Sequence, residues 1–247
     1  MNFVKRRVPR LFVEHELEGE SLSLGEAEAH YLGNVLRLRV GERVVAFNGR
    51  GAERGAVVSR LTRRGAELGL EESLDPLPEP ALALTLVQAL IKSDAMDWIV
   101  QKATELGVRR IAPVYSDFSV VKLERGRAER RVEHWARIAR SACEQSGRHR
   151  PPLVEAPAPL AERLAAVPAG EARFALVPGA RLTPEGLPPS GTAVAVAVGP
   201  EGGWSERDLR DIEAAGFVGV AVGPRVLRAD TAAITACALL QARWGDL

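Results

Sequence analysis

The stretch that decides the fold is Val198-Gly199-Pro200-Glu201-Gly202-Gly203-Trp204-Ser205-Glu206-Arg207-Asp208. It begins at the end of the run Ala193–Val198, in which alanine and valine alternate without a polar residue. A strand without a polar face is typical of a parallel sheet that helices cover on both sides. Ser205 and Asp208 have the spacing of a capping box, in which a helix begins at the serine. The stretch therefore predicts a buried strand, a glycine-rich loop and a helix.

The glycine-rich loop is a candidate ligand site. In open α/β sheets, ligands bind at the carboxyl ends of the strands, and glycines allow a ligand to approach the backbone closely. A tight strand-to-helix turn explains one or two of these glycines, but less easily a Gly-Pro-Glu-Gly-Gly loop with a carboxylate inside it. The loop does not have the Gly-x-Gly-x-x-Gly pattern, so it does not favour a dinucleotide-binding fold.

A second strand, loop and helix are predicted in Val222-Gly223-Pro224-Arg225-Val226-Leu227-Arg228-Ala229-Asp230-Thr231-Ala232. We expect Asp230 or Thr231 to be the N-cap of a helix that is apolar on nearly every side. Arg225 and Arg228 favour a ligand that carries an anionic group, because guanidinium groups bind carboxylates and phosphates well. A capped core helix without a functional role is the alternative interpretation.

The rest of the chain divides into two parts. Residues 1–74 are rich in predicted strands, including a hairpin in which residues 44–47 and 55–58 flank an Asn-Gly turn. Three prolines between residues 75 and 80 end any strand ladder, so residues 75–81 are predicted to be a linker. In residues 82–247 strands and helices alternate, which is typical of an α/β domain. Strands are predicted at 82–90, 108–115, 172–177, 193–198 and 217–222, and helices at 94–106, 127–145, 206–215 and 232–244.

Composition narrows the classes of function. The chain has 247 residues, 46% of them hydrophobic, and a net charge of +1, which is typical of a soluble globular protein. No apolar run approaches the roughly 18 residues of a membrane helix, and none follows the basic N-terminus, so we expect a cytoplasmic protein. The two cysteines and four histidines are scattered, so no metal site is expected.

The stretches GPEGGWSERDL and VGPRVLRADTAA resemble the C-terminal signature of the bacterial methyltransferases that modify N3 of a uridine in 16S ribosomal RNA. These enzymes belong to the SPOUT superfamily. Three upstream blocks are similar to the same family: HYLGNVLR from His30, KSD from Lys92 with QKATELGV from Gln101, and ACEQSGR from Ala142. The five blocks keep their order over nearly the whole chain. One position departs from the family, which more often has Glu where this chain has Asp230.

The resemblance implies an α/β fold with a SPOUT-type parallel sheet and a C-terminal trefoil knot in residues 82–247, preceded by a small PUA-like β-barrel domain in residues 1–74. It implies S-adenosyl-L-methionine as the cofactor, 16S ribosomal RNA or the small ribosomal subunit as the partner, and a homodimer. The residues that it implies for cofactor binding lie in three loops: Val177, Pro178, Val198, Gly199, Pro200, Gly202, Gly203, Val222, Gly223, Leu227 and Thr231.

Methylation at N3 of uridine requires loss of the weakly acidic N3 proton. We predict that Arg228 stabilises negative charge on a uracil oxygen and that Glu201 or Asp230 accepts the proton, with the choice between them open. The alternative role for either carboxylate is only to orient its loop. Because a duplex hides N3 in its base pairs, the target base is expected to be single-stranded or flipped out. The arginines that we predict to bind the RNA backbone are Arg6, Arg7, Arg10, Arg37, Arg39, Arg148 and Arg150.

Two other functions stay open from the sequence alone. A ribose 2′-O methyltransferase of the same superfamily would share the glycine loop, although the early Asn-containing motif usual in that class is absent here. A non-enzymatic RNA-binding factor in ribosome assembly would use the β-rich domain and keep the α/β domain as a relic. The methylated nucleoside distinguishes base from ribose methylation, and retention of the cofactor during purification would count against the assembly factor.

Overall fold

The computed structural model describes residues 8–119, 125–181 and 192–247. The chain forms two compact units, one of Met1–Glu79 with Cys143–Arg150 and one of Pro80–Ala142 with Pro151–Leu247. The boundary between residues 79 and 80 lies inside the predicted linker. Residues 143–150, which we predicted to be part of the second domain, group instead with the first unit. The predictions for Arg6 and Arg7 lie outside the described residues.

The first unit is built on a five-stranded sheet with the strand order β1-β3-β4-β5-β2. Its strands are β1 (Arg10–Phe12), β2 (Ser21–Leu24), β3 (Arg43–Phe47), β4 (Glu53–Thr62) and β5 (Gly65–Ser73). The β3–β4 pairing is antiparallel and confirms the predicted hairpin. Helix α1 (Glu26–His30) continues into a π-helical turn at Tyr31–Val35. The helical spacing of Ala29, Leu32, Val35 and Leu36 predicts a single helix over residues 25–38.

Residues 143–150 join the first unit through buried polar contacts. Glu144 accepts hydrogen bonds from the Phe12 backbone N–H at 2.9 Å and from the Tyr31 hydroxyl at 2.6 Å. Arg148 donates to Glu79 at 2.7 Å, and its side chain is 8% exposed. These partners are at least 69 residues away in sequence. Hydrophobic periodicity identifies a helix but not such distant partners, so the sequence alone does not show that these residues group with the first unit.

Glu144 provides a test of this buried connection. Burial raises the pKa of its carboxyl group, although the hydrogen bonds from Phe12 and Tyr31 and the charge of Arg10 act in the opposite direction. The folded state therefore holds this proton more tightly than the unfolded chain, so the free energy of unfolding falls as pH rises from the unfolded-state pKa to the folded-state pKa. Glu144→Gln can pair with both partners and carries no charge. We expect its stability relative to the wild type to increase with pH across this window.

Urea unfolding at a series of pH values measures this difference. Glu133→Gln, at an exposed position on the same helix, serves as the matched control and should show little dependence on pH relative to the wild type. A stability difference for Glu144→Gln that stays constant or decreases with pH would contradict the proposed effect of burial.

The second unit contains a seven-stranded sheet with the order β12-β10-β11-β6-β7-β8, in which β9 also pairs with β7. All pairings among its described strands are parallel, which confirms the predicted α/β class. Strands β8 and β9 were not predicted, because two residues are too few to show a period. The trefoil knot stays a prediction, since strand order does not define how the chain is threaded. The strands are β6 (Ala83–Ala89), β7 (Arg110–Tyr115), β8 (Leu153–Val154), β9 (Ala158–Pro159), β10 (Ala172–Leu176), β11 (Ala193–Val198) and β12 (Val218–Val220).

Two buried clusters lie on opposite faces of this sheet. The three valines of β11 pack in one cluster with Met96 and Ala233, and two of its three alanines, Ala195 and Ala197, pack in the other with Leu164 and Ile212. The alternating run in β11 therefore has an apolar residue for each face, as the sequence predicts.

Among the described helices, none is long and apolar enough to cross a membrane. The helices are α2 (Ser93–Glu105), α3 (Arg125–Ser146), α4 (Leu160–Ala165), α5 (Glu206–Ala214) and α6 (Ala229–Trp244).

The starts of two helices differ from the prediction. The N-cap of α2 is Lys92, two residues before the predicted start of the helix at residue 94, and the N-cap of α6 is Arg228, where Asp230 or Thr231 was predicted. Neither N-cap side chain makes a capping hydrogen bond. Asp94 and Asp230 lie in the first turns of these helices, where a negative charge interacts favourably with the helix dipole. The capping box of α5 is confirmed, with Ser205 as the N-cap.

Candidate functional site

A cavity of about 820 Å³ lies at the carboxyl ends of the second unit's parallel strands. The segments that follow β10, β11 and β12 form most of its wall, and Ile91, Lys92 and Ala95 complete it from the end of β6 and the start of α2. These segments are distant in sequence, but a parallel sheet brings the carboxyl ends of its strands to one edge. The volume lies within the range of roughly 300–1,000 Å³ that is usual for sites of small ligands.

Most residues that we predicted to bind a cofactor line this cavity. Thr231 is the exception: it is exposed, and its backbone N–H and its hydroxyl donate to Asp230 Oδ1 at 2.7 and 3.3 Å. The predicted catalytic residues Glu201, Arg228 and Asp230 are also part of the wall, and their roles stay predictions. The predicted residues that line the cavity are Val177, Pro178, Val198, Gly199, Pro200, Gly202, Gly203, Val222, Gly223 and Leu227.

Several residues of the cavity wall were not predicted from the sequence. Lys92 lies in one of the five blocks that resemble the family, so a signal for it was present. Ile91 and Ala95 flank that block without any distinctive pattern of their own, and Trp204 directly follows the glycine loop. The contribution of Ile91 and Ala95 depends on β6 lying beside β11 in the sheet, which the sequence does not reveal.

Two glycines shape the glycine loop for different reasons. A Cβ atom on Gly199 would lie 3.2 Å from Cε2 of Trp204, so the close approach of the indole favours glycine there. The Trp204 indole N–H donates to the Leu176 carbonyl at 3.0 Å and connects the loop to the end of β10. Gly203 has a φ of +73°, in the left-handed region that glycine adopts readily, and its N–H donates to the Pro200 carbonyl at 2.9 Å.

The wall of the cavity combines apolar surface with charges of both signs. Its cations are Lys92, Arg225 and Arg228, and its carboxylates are Glu201 and Asp230. The N-terminal ends of α2 and α6 also contribute to the wall, and their peptide dipoles favour negative groups. Apolar residues at the ends of β10, β11 and β12 form the remainder. This arrangement suits a ligand that has an apolar ring system and charged ends.

Asp208 fixes the end of the glycine loop. Its side chain is buried and accepts from the Ser205 N–H at 3.0 Å, while the Ser205 hydroxyl oxygen accepts from the Asp208 N–H at 3.0 Å. The same carboxylate accepts from the Asp117 backbone N–H at 3.3 Å, and the Ser205 hydroxyl donates to Asp117 Oδ2 at 2.6 Å. The start of α5 is therefore bonded to the turn that follows β7.

Asp208→Ala is expected to lower the free energy of unfolding by about 2 kcal/mol, because it removes the capping box and leaves two backbone N–H groups without an acceptor. Glu213→Ala, at an exposed position on the same helix, should change this free energy by less than about 0.5 kcal/mol. Urea unfolding followed by circular dichroism compares the two variants. Equal effects of the two substitutions would show that the Asp208 contacts do not stabilise the protein.

The predicted RNA-binding arginines of the first unit differ in exposure. Arg37, Arg39 and Arg150 are exposed and stay candidates for RNA binding. Arg10 and Arg148 are largely buried, with side chains 10% and 8% exposed, which leaves them little surface for contact with RNA.

Both buried arginines pair with glutamates of their own unit. Arg10 donates to Glu53 Oε2 at 3.0 Å, and its guanidinium lies 4.5 Å from the centroid of the Phe47 ring. Arg148 pairs with Glu79. Because breaking a buried ion pair is costly, the structure holds both side chains inside the unit. A role for Arg10 and Arg148 in RNA binding stays a prediction.

Comparison with known proteins first defines a class. Residues 78–241 match the model of the RNA methyltransferase domain, and residues 24–71 match the model of the RNA methyltransferase PUA domain. The two matched segments follow the division of the sequence into a β-rich part and an α/β part. They define a class of RNA methyltransferases that have a PUA domain ahead of the methyltransferase domain.

Individual relatives identify the family within this class. The ribosomal RNA small subunit methyltransferase E of Synechocystis sp. is 33% identical over 231 residues, which cover 90% of this chain and 73% of that protein. The crystal structure of the Neisseria gonorrhoeae ribosomal RNA small subunit methyltransferase E, bound to S-adenosyl methionine, has a TM-score of 0.91 and 33% identity, and the match covers 98% of this chain and 100% of that one. A Legionella pneumophila methyltransferase in complex with the same cofactor has a TM-score of 0.93 and 32% identity, with the same coverage. The chain belongs to the ribosomal RNA small subunit methyltransferase E family, which confirms the resemblance found in the five sequence blocks.

Proposed function

We propose that this protein transfers a methyl group from S-adenosylmethionine to N3 of a uridine in the 16S ribosomal RNA of the small subunit. The observation that carries the proposal is the cavity at the strand ends, where the glycine loop meets Glu201, Arg228 and Asp230. The relatives from Synechocystis sp. and Neisseria gonorrhoeae are named for the ribosomal RNA of the small subunit, and the structures from Neisseria gonorrhoeae and Legionella pneumophila contain S-adenosylmethionine. The choice of uridine N3 rests on the resemblance of the five blocks to that family.

The cavity fits this cofactor in size and chemistry. S-adenosylmethionine has an adenine ring, a sulfonium centre and an amino acid end that carries both charges. The apolar ends of β10, β11 and β12 suit the ring, and the charged residues of the wall suit the amino acid end. We propose that the segments 176–179, 198–203 and 222–227 hold the cofactor, which when bound supplies an electrophilic methyl group.

We propose that Arg228 stabilises the negative charge that develops on a uracil oxygen as N3 loses its proton. A guanidinium in a fixed position donates hydrogen bonds to such an oxygen without reorganisation of solvent. Arg228 is exposed at the N-cap of α6, where the dipole of the helix also favours a negative group. Positioning of the acceptor nitrogen in line with the methyl group supplies the remainder of the rate enhancement.

Of the two candidate bases, the contacts favour Glu201. Asp230 Oδ1 already accepts two hydrogen bonds from Thr231 in the first turn of α6, and these bonds fix the carboxylate in a local structural role. Glu201 is exposed within the glycine loop and lines the cavity. We therefore propose Glu201 as the proton acceptor and Asp230 as a residue that maintains the start of α6.

We further propose a cytoplasmic homodimer that binds RNA phosphates through Arg37, Arg39 and Arg150. Helix α2 packs against α6, which is apolar on nearly every side, and Trp98 of α2 is 49% exposed. Tryptophan is enriched at protein interfaces, where its ring buries a large apolar area. The exposed arginines suit phosphate groups, which guanidinium binds with two parallel hydrogen bonds.

Nucleoside analysis tests the proposed function. Ribosomal RNA from cells that lack this protein should lose 3-methyluridine, and purified protein with S-adenosylmethionine should restore it on naked 16S RNA, on free small subunits or on assembled ribosomes. A 2′-O-methylated nucleoside would support the ribose methyltransferase instead. Unchanged nucleosides, together with a purified protein that binds no cofactor, would support the assembly factor.

A further inference from the structure

The turn that follows β7, residues 116–119, is fixed by buried hydrogen bonds. The Ser116 N–H donates to the Ser119 hydroxyl oxygen at 3.1 Å, and the two hydroxyl oxygens lie 2.9 Å apart. The Ser119 N–H donates back to the Ser116 carbonyl at 3.1 Å. Both serines are 8% exposed. Because its polar groups are paired with one another, the turn has little freedom to rearrange.

This turn is attached to the glycine loop at two points. Asp117 bonds to Asp208 and Ser205 at the start of α5. Phe118 packs on Gly202, since a Cβ atom placed on this glycine would lie 3.1 Å from Cβ and 3.5 Å from Cγ of Phe118. The position of Phe118 is therefore tied to the loop that lines the cavity.

Phe118 is 50% exposed although both of its serine neighbours in the turn are buried. The turn thus holds an apolar ring partly in water, next to the wall of the cavity. Arg207 of α5 is 73% exposed, and its guanidinium lies 4.0 Å from the Asp117 carboxylate in the same turn. An exposed aromatic ring near an exposed arginine is the combination that surfaces for single-stranded RNA use, with the ring stacking on a base and the cation close to a phosphate.

Building on the proposed function, we propose that Phe118 stacks on an unpaired nucleobase of the RNA that is next to the methyl acceptor. Phe118 contacts Gly202 but does not itself line the described part of the cavity. Its stacking partner is therefore a base that flanks the methyl acceptor, and not the acceptor base that enters the cavity. Extraction of the acceptor base from its stack leaves a neighbouring base without one of its stacking partners. The ring of Phe118 replaces that partner, and it accepts any of the four bases because each has a π face.

Steady-state methylation of small ribosomal subunits that lack the modification tests this role. Phe118→Leu keeps an apolar contact with Gly202 but removes the ring, and it should raise KM for the subunits about tenfold. The kcat and the calorimetric Kd for S-adenosylmethionine should change less than about twofold, because the ring contacts neither the acceptor base nor the cofactor. Phe118→Trp keeps an aromatic face and should retain a KM near that of the wild type. Leu153→Ala is the matched control, since Leu153 is 59% exposed on β8, and it should leave all three constants unchanged.

Three results would overturn the stacking role: a wild-type KM in Phe118→Leu, equal losses in the leucine and tryptophan variants, or a loss of cofactor affinity in Phe118→Leu that matches the rise in KM. The last two would mean that the residue only shapes the glycine loop. Failure of the wild type to methylate any RNA would contradict the proposed function. The stacking role is then decided by filter binding of 16S RNA, in which Phe118→Leu should weaken the Kd about tenfold and an unchanged Kd would reject it.

Discussion

Arg228→Ala is expected to lower the rate constant of methyl transfer about 100- to 1,000-fold, which is the usual effect of removing one donor to a developing oxyanion. The fold should be retained, because the contacts of Arg228 with α6 come from its backbone. Its carbonyl accepts from the Ala232 N–H at 2.7 Å, and its side chain makes no capping bond. The side chain is exposed at the cavity, so its loss leaves no buried partner without a hydrogen bond.

Single-turnover transfer to small subunits measures this rate constant separately from RNA binding and product release. Arg109→Ala is the matched control: this exposed arginine precedes β7 and therefore lies at the amino edge of the sheet, away from the cavity. It should retain the wild-type rate. Arg228→Lys tests whether a point charge is sufficient without the planar guanidinium. Transfer at the wild-type rate by a folded Arg228→Ala protein would exclude the catalytic role.

The parallel sheet and its ligand loops could be predicted because their signals are local. From Val194 to Val198 in β11, the valines pack in one layer of the core and the alanines in the other, so five consecutive residues indicate that both faces of the sheet are covered. The glycine loop follows this strand directly, and the position of ligand sites at strand ends is a general property of such sheets. The capping box of Ser205 and Asp208 extends over only four residues. Each of these features needs no knowledge of distant contacts.

The features that the sequence analysis missed depend on contacts between distant residues. Arg10 and Arg148 were predicted to bind RNA because arginine suits phosphate groups. In the structure each pairs with a glutamate, Glu53 or Glu79, that lies 43 or 69 residues away. A sequence pattern does not distinguish an exposed arginine from one in such a pair. Phe118 is similar, because only the contact between its turn and Gly202 places it beside the site. The N-cap at Arg228 was missed for another reason: Asp230 is a better capping residue by preference, yet it lies inside the first turn.

Gly203→Val is expected to weaken binding of S-adenosylmethionine by about tenfold or more. The φ of Gly203 is +73°, and for an L-residue the left-handed region costs about 1–2 kcal/mol, with more for a β-branched side chain. No heavy atom lies within 4 Å of a Cβ atom placed there, so the effect comes from backbone strain and not from a clash. To relieve the strain, the loop must give up the hydrogen bond from Gly203 to Pro200 and change the wall of the cavity.

Gly19→Val separates this local effect from a general loss of stability. Gly19 has the same φ of +73° and no heavy atom within 4 Å of its Cβ position, but it belongs to the first unit. Both substitutions impose the same backbone strain, so both should lower the free energy of unfolding by similar amounts. Only Gly203→Val should change the calorimetric Kd for the cofactor, because Gly203 and its loop line the cavity and Gly19 does not. Equal cofactor affinities in the two variants would mean that the conformation of the glycine loop does not determine binding, and the assignment of the site to this loop would fail.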